Sequence, residues 1–509
     1  MSRPGPGLAA QASRALLWNV ALIPLQAVVA LAASALVARR LSVEQYALYG
    51  LAMAALTSLL LWSDLGLMPM VSRYTPVLRA SGTAALRHFL WRVSAVRVGA
   101  VALAALAFAV AWRLPAVRRA LPFEGPGLAL LLAALAAQGL ARLHEYFLSG
   151  LLDRRSVGLA RIAVGLAHPL LLIGAVSAGL GVNGILAAVC AASLVDLTLF
   201  SGAALRRTRP PGAARPAALP SGLRGEAARF AGVSYVEKLA SHLNSTGFII
   251  FFVAAMGTRA DVAAFAVAGE FAARVIAAIS IPFSGLTLPL FASVEAERPA
   301  DTGTAARLYL CVMLLACLPA AALLSALAGP LVALVYSERY LEAGPILRAF
   351  VPFLFVEYAV YSSLLAPLLT RGRYRPVLLS KLPMLAGVAG VALVLPRAGL
   401  VAAAFTYGVA RLLSAVVLLV AGGRALGLRF PAAFAAKVAA ASAAATAAAL
   451  AVAPRPGDWG GLALAGAAAA VAFLLVYRLL GGMDPEDRAR VAYGAQGAPA
   501  VERLVTYLL

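Results

Sequence analysis

The chain has 509 residues, 62% hydrophobic and 13% charged, with 43 Lys and Arg against 21 Asp and Glu for a formal net charge of +22. A soluble domain is about half apolar and a quarter charged, so a water-soluble fold cannot hide this much apolar surface, whereas a bilayer accepts it. The basic excess sits in short connections rather than in a soluble basic domain, which excludes nucleic-acid binding and fits the cytoplasmic loops of a membrane protein.

A helix needs roughly 20 apolar residues to cross the hydrocarbon layer. Spans must be helical here, because open strands leave backbone groups unpaired in lipid. The fold class read from the sequence is therefore all-α: a polytopic membrane protein of about fourteen transmembrane helices. In chain order they lie at about 15–38, 45–63, 89–112, 127–149, 157–178 and 184–203, then at about 230–254, 262–291, 306–328, 346–369, 377–396 and 399–421. Two more follow at about 432–453 and 460–480.

With the N-terminus cytoplasmic, the inner connections collect Arg73, Arg79 and Arg87, then Arg154, Arg155 and Arg161, then the run from Arg206 to Arg229, and later Arg371, Arg373, Arg375, Lys381, Arg424, Arg429 and Lys437. That bias predicts both termini on the cytoplasmic side. Arg39, Arg40, Arg118 and Arg119 run against it.

The segment 206–225 holds Pro210, Pro211, Pro216 and Pro220 among arginines and reads as an irregular linker. It divides twelve spans into an N-terminal six-helix lobe, 1–205, and a C-terminal one, 226–425. Two additional helices (426–482) and a cytoplasmic tail (483–509) follow. The lobes repeat at an offset near 216. Val37-Ala38 before Ala47-Leu48-Tyr49 matches Val253-Ala254 before Ala263-Ala264-Phe265; Leu148, Leu151, Leu152 and Arg154 match Leu365, Leu368, Leu369 and Arg371; and Gly184-Ile185-Leu186 matches Gly399-Leu400-Val401. Six spans per copy make the repeats parallel, an arrangement that places a substrate path between halves.

No catalytic constellation is present, and an enzyme is not expected. Gly179-Leu180-Gly181-Val182-Asn183-Gly184 fits the dinucleotide fingerprint, but it joins two spans rather than a strand and a soluble helix. It is read as a glycine turn. Cys190, Cys311 and Cys317 lie in apolar spans with no disulfide or metal spacing, so no metal or cofactor is expected.

Charges inside spans are costly and mark function or pairing. They are Arg97, Arg142 and Glu145, Asp196, Glu237 and Lys238, Glu270 and Arg274, Glu357 and Arg411, with Asp64 closing the second span. Arg274, Lys238, Asn244, Arg97 and Arg411 are the candidate substrate-binding residues. Arg97 and Arg411 rank second, because pairing with a nearby acid would also account for each. Glu270, Glu237, Asp64 and Glu357 are the candidate ion-coupling residues. Glu270 and Arg274 share a helix face and can pair. Arg142 and Glu145 read as a structural pair at a membrane edge. Glu237 and Lys238 point apart and need different partners. The polar side of their span, with Ser234, Tyr235, Ser241 and His242, is expected to line water.

The run Ala38-Arg39-Arg40-Leu41-Ser42-Val43-Glu44-Gln45-Tyr46-Ala47-Leu48-Tyr49 resembles the first loop of the Wzx-type oligosaccharide flippases, as does Asp64-Leu65-Gly66-Leu67. The second half is similar at Tyr340-Leu341-Glu342-Ala343-Gly344-Pro345 and at Arg371-Gly372-Arg373. The superfamily also contains lipid II flippases and MATE drug exporters. The resemblance implies an inner-membrane protein with a cationic cavity that flips polyprenyl-diphosphate-linked oligosaccharide to the outer leaflet by alternating access. Its implied partners are that lipid-linked substrate, membrane lipids, a coupling ion (proton or sodium), and a polysaccharide polymerase or glycosyltransferase. A MATE-like exporter is the alternative. An O-antigen polymerase or ligase is a weaker one, since no large outer loop is present.

Overall fold

The first loop owes its form to a cap. Ser42 and Gln45 exchange side-chain and backbone hydrogen bonds, each 3.2 Å long, and this box starts helix α2, Val43–Trp62. Thr258 and Asp261 make the same reciprocal box at the start of α11, Arg259–Ser280. The two boxes are 216 residues apart, the offset at which the sequence repeats.

The computed structural model describes residues 29–485 except 80, 124, 152–153, 209–222, 281–286, 288–290, 292–293, 296–298 and 453–456. The expected linker and tail lie mostly outside these residues, as does most of the first predicted span, of which 29–40 is helical (α1). After α2 come α3 (Leu67–Arg79), α4 (Thr83–Trp112), α5 (Pro115–Ala120), α6 (Gly125–Gly150), α7 (Arg154–Ser177), α8 (Gly181–Arg207), α9 (Leu223–Leu243), α10 (Thr246–Met256) and α11. Beyond them lie α12 (Thr302–Ala326), α13 (Ala328–Val335), α14 (Ala343–Thr370), α15 (Tyr374–Leu379), α16 (Lys381–Leu426), α17 (Ala432–Val452) and α18 (Trp459–Leu479). The described residues contain no strand.

Eleven described helices are long and apolar enough to cross a membrane, or twelve if a bent pair is one span. The pair is α9 and α10, which the sequence reads as one straight span at 230–254 and which bend by 42°. The stretch Tyr374–Leu426 runs 53 residues, about 80 Å of helix. That is more than twice a bilayer core. It breaks at Gly399 (φ 79°, ψ −177°), so two predicted spans fall within it. The glycine fingerprint is a turn, with Gly179 and Gly181 at φ 69° and 61° between α7 and α8.

The chain forms two compact units, one of residues 28–266 and one that includes 267–509. In the first, α6 lies along α8, with α7 on α8 and both α3 and α4 on α6. It also takes in α9 and α10, which contact α2, while α9 contacts α3. In the second, α14 lies between α12 and α16, α17 packs on α12, and α18 packs on α17. Small residues let this last pair close up: Ala445 and Ala449 of α17 meet Ala465 and Ala469 of α18 against Leu327.

Candidate functional site

The site grows from the end of α2. A helix C-terminus leaves four carbonyls without an intrahelical donor, and here each finds one. Leu59 accepts from the Ser63 backbone N–H at 3.0 Å and Leu61 from the Asp64 N–H at 3.0 Å. Leu60 accepts from Arg97 Nη2 at 3.1 Å, and Trp62 from the Tyr235 hydroxyl at 3.0 Å. The chain then turns through Leu65 and Gly66, both left-handed (φ 52° and 71°), into α3. Asp64 holds the turn: its Oδ1 accepts from the Met68 N–H at 3.2 Å and its Oδ2 from Lys238 Nζ at 2.8 Å.

Helix α9 lies along this break. Its residues 231, 235, 238 and 242 form one face. Ala231 presents its carbonyl oxygen to Gly66, where an added Cβ would lie 2.0 Å away. Tyr235 and Lys238 make the bonds just given. His242 Nε2 stands 2.8 Å from Ser58 Oγ, and its Nδ1 stands 3.3 Å from Ser245 Oγ at the α9–α10 bend. The polar side expected to line water is thus largely engaged with α2. A span rich in polar side chains lines water only when no neighbouring helix offers partners, and the broken end of α2 offers several.

The sequence candidates divide accordingly. Lys238 and Asp64 come together, with the lysine side chain 27% exposed and the aspartate 3%. Glu237 points elsewhere and accepts from Ser241 at 2.8 Å. Asn244 is fully buried at the bend. Arg97 is fully buried and is held by the carbonyls of Leu60 and Gly139, at 3.1 and 3.0 Å, instead of the acid pairing expected of it. A guanidinium at a helix C-terminus also meets the negative end of the helix dipole.

The second pairing to be corrected is Arg142 with Glu145. Glu145 takes Arg161 of α7 at 2.7 Å. Arg161 lies across the helix pair, and a partner there is invisible to spacing along one helix.

In the second unit, Arg274 Nη2 bonds Glu270 Oε1 at 3.0 Å on α11, as the four-residue spacing predicts. Here too the base is the more exposed partner, 41% against 22%. Arg411 of α16 meets Glu357 of α14 at 2.9 Å, with the guanidinium over the Tyr407 ring, and this pair is deeply buried. Outside the spans, Arg371 binds Glu295 at 2.7 Å and the Pro299 carbonyl, while the Thr302 hydroxyl also donates to Glu295. Burial pushes the Glu295 carboxyl up, but these donors outweigh it and leave it below the ordinary carboxylate range. Sequence reading missed Ser58 and gave Tyr235 and His242 to water rather than to α2. Their spacing along one face of α9 was the signal that a single partner helix could take them.

A family model described as polysaccharide biosynthesis protein matches residues 36–345. No curated protein matches the chain. Among solved structures, the chain is similar to the lipid II flippase MurJ in an inward closed conformation, at 12% identity over 91% of this chain and 99% of that one, with a TM-score of 0.64. It is also similar to a MOP superfamily transporter from Pyrococcus furiosus (15% identity, 84% and 99% covered, TM-score 0.61), whose binding pocket is described as of reverse polarity. A MATE transporter from Vibrio cholerae is similar at 16% identity, with 82% and 98% covered and a TM-score of 0.58. At these identities the likeness carries the fold alone: a polytopic helical membrane protein, as expected.

Proposed function

This chain belongs to the polysaccharide biosynthesis protein family and is a multi-pass membrane transporter of the flippase kind rather than an enzyme, and on that premise we propose that its cargo is a polyprenyl-diphosphate-linked oligosaccharide. The cargo is moved from the cytoplasmic to the outer leaflet of the bacterial inner membrane by alternating access. A diphosphate headgroup cannot cross hydrocarbon bare, and arginine matches phosphate oxygens with a bidentate fork. The observation that carries the reading is the asymmetry of the acid–base pairs. In Lys238–Asp64 and in Arg274–Glu270 the base is the accessible partner and the acid the shielded one. A headgroup approaching either pair meets positive charge first. A cation-exporting site needs the opposite arrangement.

The two-lobe architecture, 1–205 and 226–425, belongs to this reading. The capping boxes spaced by the repeat offset support it. The placement of both termini in the cytoplasm, which loop charge favours, is part of the same reading. Reporter fusions after Arg215 and after Arg424 are expected to read cytoplasmic; a periplasmic signal from either breaks the topology.

The direct test is on cargo. Deleting the gene should cause an undecorated surface and an accumulated lipid-linked glycan on the inner leaflet. Arg274→Ala should cut export about tenfold to a hundredfold, the loss that follows from one charge-assisted hydrogen bond. Arg274→Lys should restore part of it, because the charge stays and the fork is lost. Normal export by the alanine variant at wild-type protein levels removes Arg274 as a headgroup ligand.

A further inference from the structure

Of the acids inside spans, Asp64, Glu145, Glu237, Glu270 and Glu357 each accept a hydrogen bond from a named side chain. Asp196 of α8 differs. Its Oδ1 is shut off from solvent and has no hydrogen-bond partner among the described residues. Asp196 is half-buried on α8, one turn from the fully buried Ser193, whose hydroxyl takes the Gln138 amide of α6 at 2.9 Å.

The charged groups around Asp196 are few. From α6, Arg142 and Glu145 act on it electrostatically, without a bond to Oδ1. His144 of α6 stands between Ser94 Oγ at 3.2 Å and Ser201 Oγ at 2.7 Å, so both its ring nitrogens are engaged. From α7, Arg161 is closed on Glu145, and His168 lies about two turns further along. On α2, Glu44, Tyr46 and Tyr49 are confined to the first two turns. The matching level of the other half is closed. Shifted by the 215 residues that relate Gly184 to Gly399, Asp196 falls on Arg411, which is bonded to Glu357.

A carboxylate with one of its two oxygens cut off from water and donors is disfavoured in the ionised form. Two remedies are at hand: a proton on the carboxyl, or the exposed guanidinium of Arg142. We propose that Asp196 is a proton-binding site with two states, protonated while Arg142 stands off and ionised when Arg142 closes onto it. Uptake adds one proton from water to the carboxylate and leaves it neutral. Release returns that proton to water as the arginine takes over the charge. A metal cation fits poorly, since the cation Arg142 already acts on the site and no group of three or more His, Cys, Asp or Glu among the described residues could hold a metal ion. Coupling this exchange to transport rests on the transporter reading; the exchange itself does not.

The test is infrared spectroscopy of the full-length protein in lipid. At mildly acidic pH the wild type should show the carbonyl stretch of a protonated carboxyl, shifting on transfer to heavy water. Asp196→Asn should remove that band and Glu145→Gln should retain it. Arg142→Gln, which deletes the competing charge, should keep the band to higher pH. A wild-type spectrum with no protonated carboxyl at mildly acidic pH overturns the proposal without any variant, and so does a band that survives Asp196→Asn. A proton site that passes these tests in a protein that moves no lipid-linked glycan leaves the inference standing and refutes the cargo reading, so the two failures are separable.

Discussion

Gly66→Ala should unfold or nearly unfold the N-terminal unit. Two costs add. Alanine at φ 71° incurs the left-handed penalty, about 1–2 kcal/mol. The new methyl would lie 2.0 Å from the Ala231 carbonyl oxygen, a backbone atom that cannot swing aside. Overpacking of this kind costs typically about 1–3 kcal/mol more. The sum, about 2–5 kcal/mol, rivals the whole net stability of many domains. Gly179 is the internal control. Its φ of 69° nearly equals that of Gly66, but nothing lies within 4 Å of its would-be Cβ, so Gly179→Ala should carry the conformational cost alone. Thermal melting of the purified variants in one detergent decides the matter. Equal melting shifts for the two would show that the approach of α9 to the α2–α3 turn is not a tight contact.

The Arg411–Glu357 pair should respond in opposite ways to single and double replacement. Removing one partner of a buried ion pair strands the other, at about 3–5 kcal/mol, whereas replacing both with apolar residues of similar volume is often neutral or stabilising. Glu357→Leu is therefore expected to lower the melting temperature sharply, and Glu357→Leu with Arg411→Met to restore it. Glycan export measured on the double variant carries the functional half. Export near the wild-type level would remove both residues from the candidate ion-coupling and substrate lists. Export lost in a stable double variant would restore them. Tyr407, whose ring underlies the guanidinium, stays in place in both variants.

Hydropathy made most spans legible, because a bilayer-crossing helix advertises itself along the chain. The Ser42–Gln45 cap was visible within the motif that carried the family resemblance, although its role as a helix start was not. Charge placement within one helix was also readable: Arg274 four residues after Glu270 did pair. Two charges whose partners stand on other helices were misread. Glu145 chose Arg161 over Arg142, and Arg97 chose two carbonyls over any acid, because distances between helices are set by packing that no local spacing encodes. The bend after Leu243 was hidden because Ser241 and His242 beside it were read as part of one water-facing side of a straight helix. The short α3 was missed because, at 13 residues and with Arg73 and Arg79, it carries no span-length hydrophobic signal.

The four contacts of α9 with the end of α2 also fix how that helix can vary. Ala231, Tyr235, Lys238 and His242 meet their partners only because the steps of four, three and four residues return each to the same azimuth. Inserting or deleting one residue between Ala231 and His242 turns everything beyond it by about 100°. Lys238 or His242 would then face away from Asp64 or Ser58, whatever side chains were chosen. Point substitutions along α9 trade one contact at a time, but a change in its length dissolves several together. Helix α9 thus behaves as a toothed rack meshed with a fixed counterpart, and it should tolerate a new side chain at any one tooth far better than a shift of the spacing between teeth.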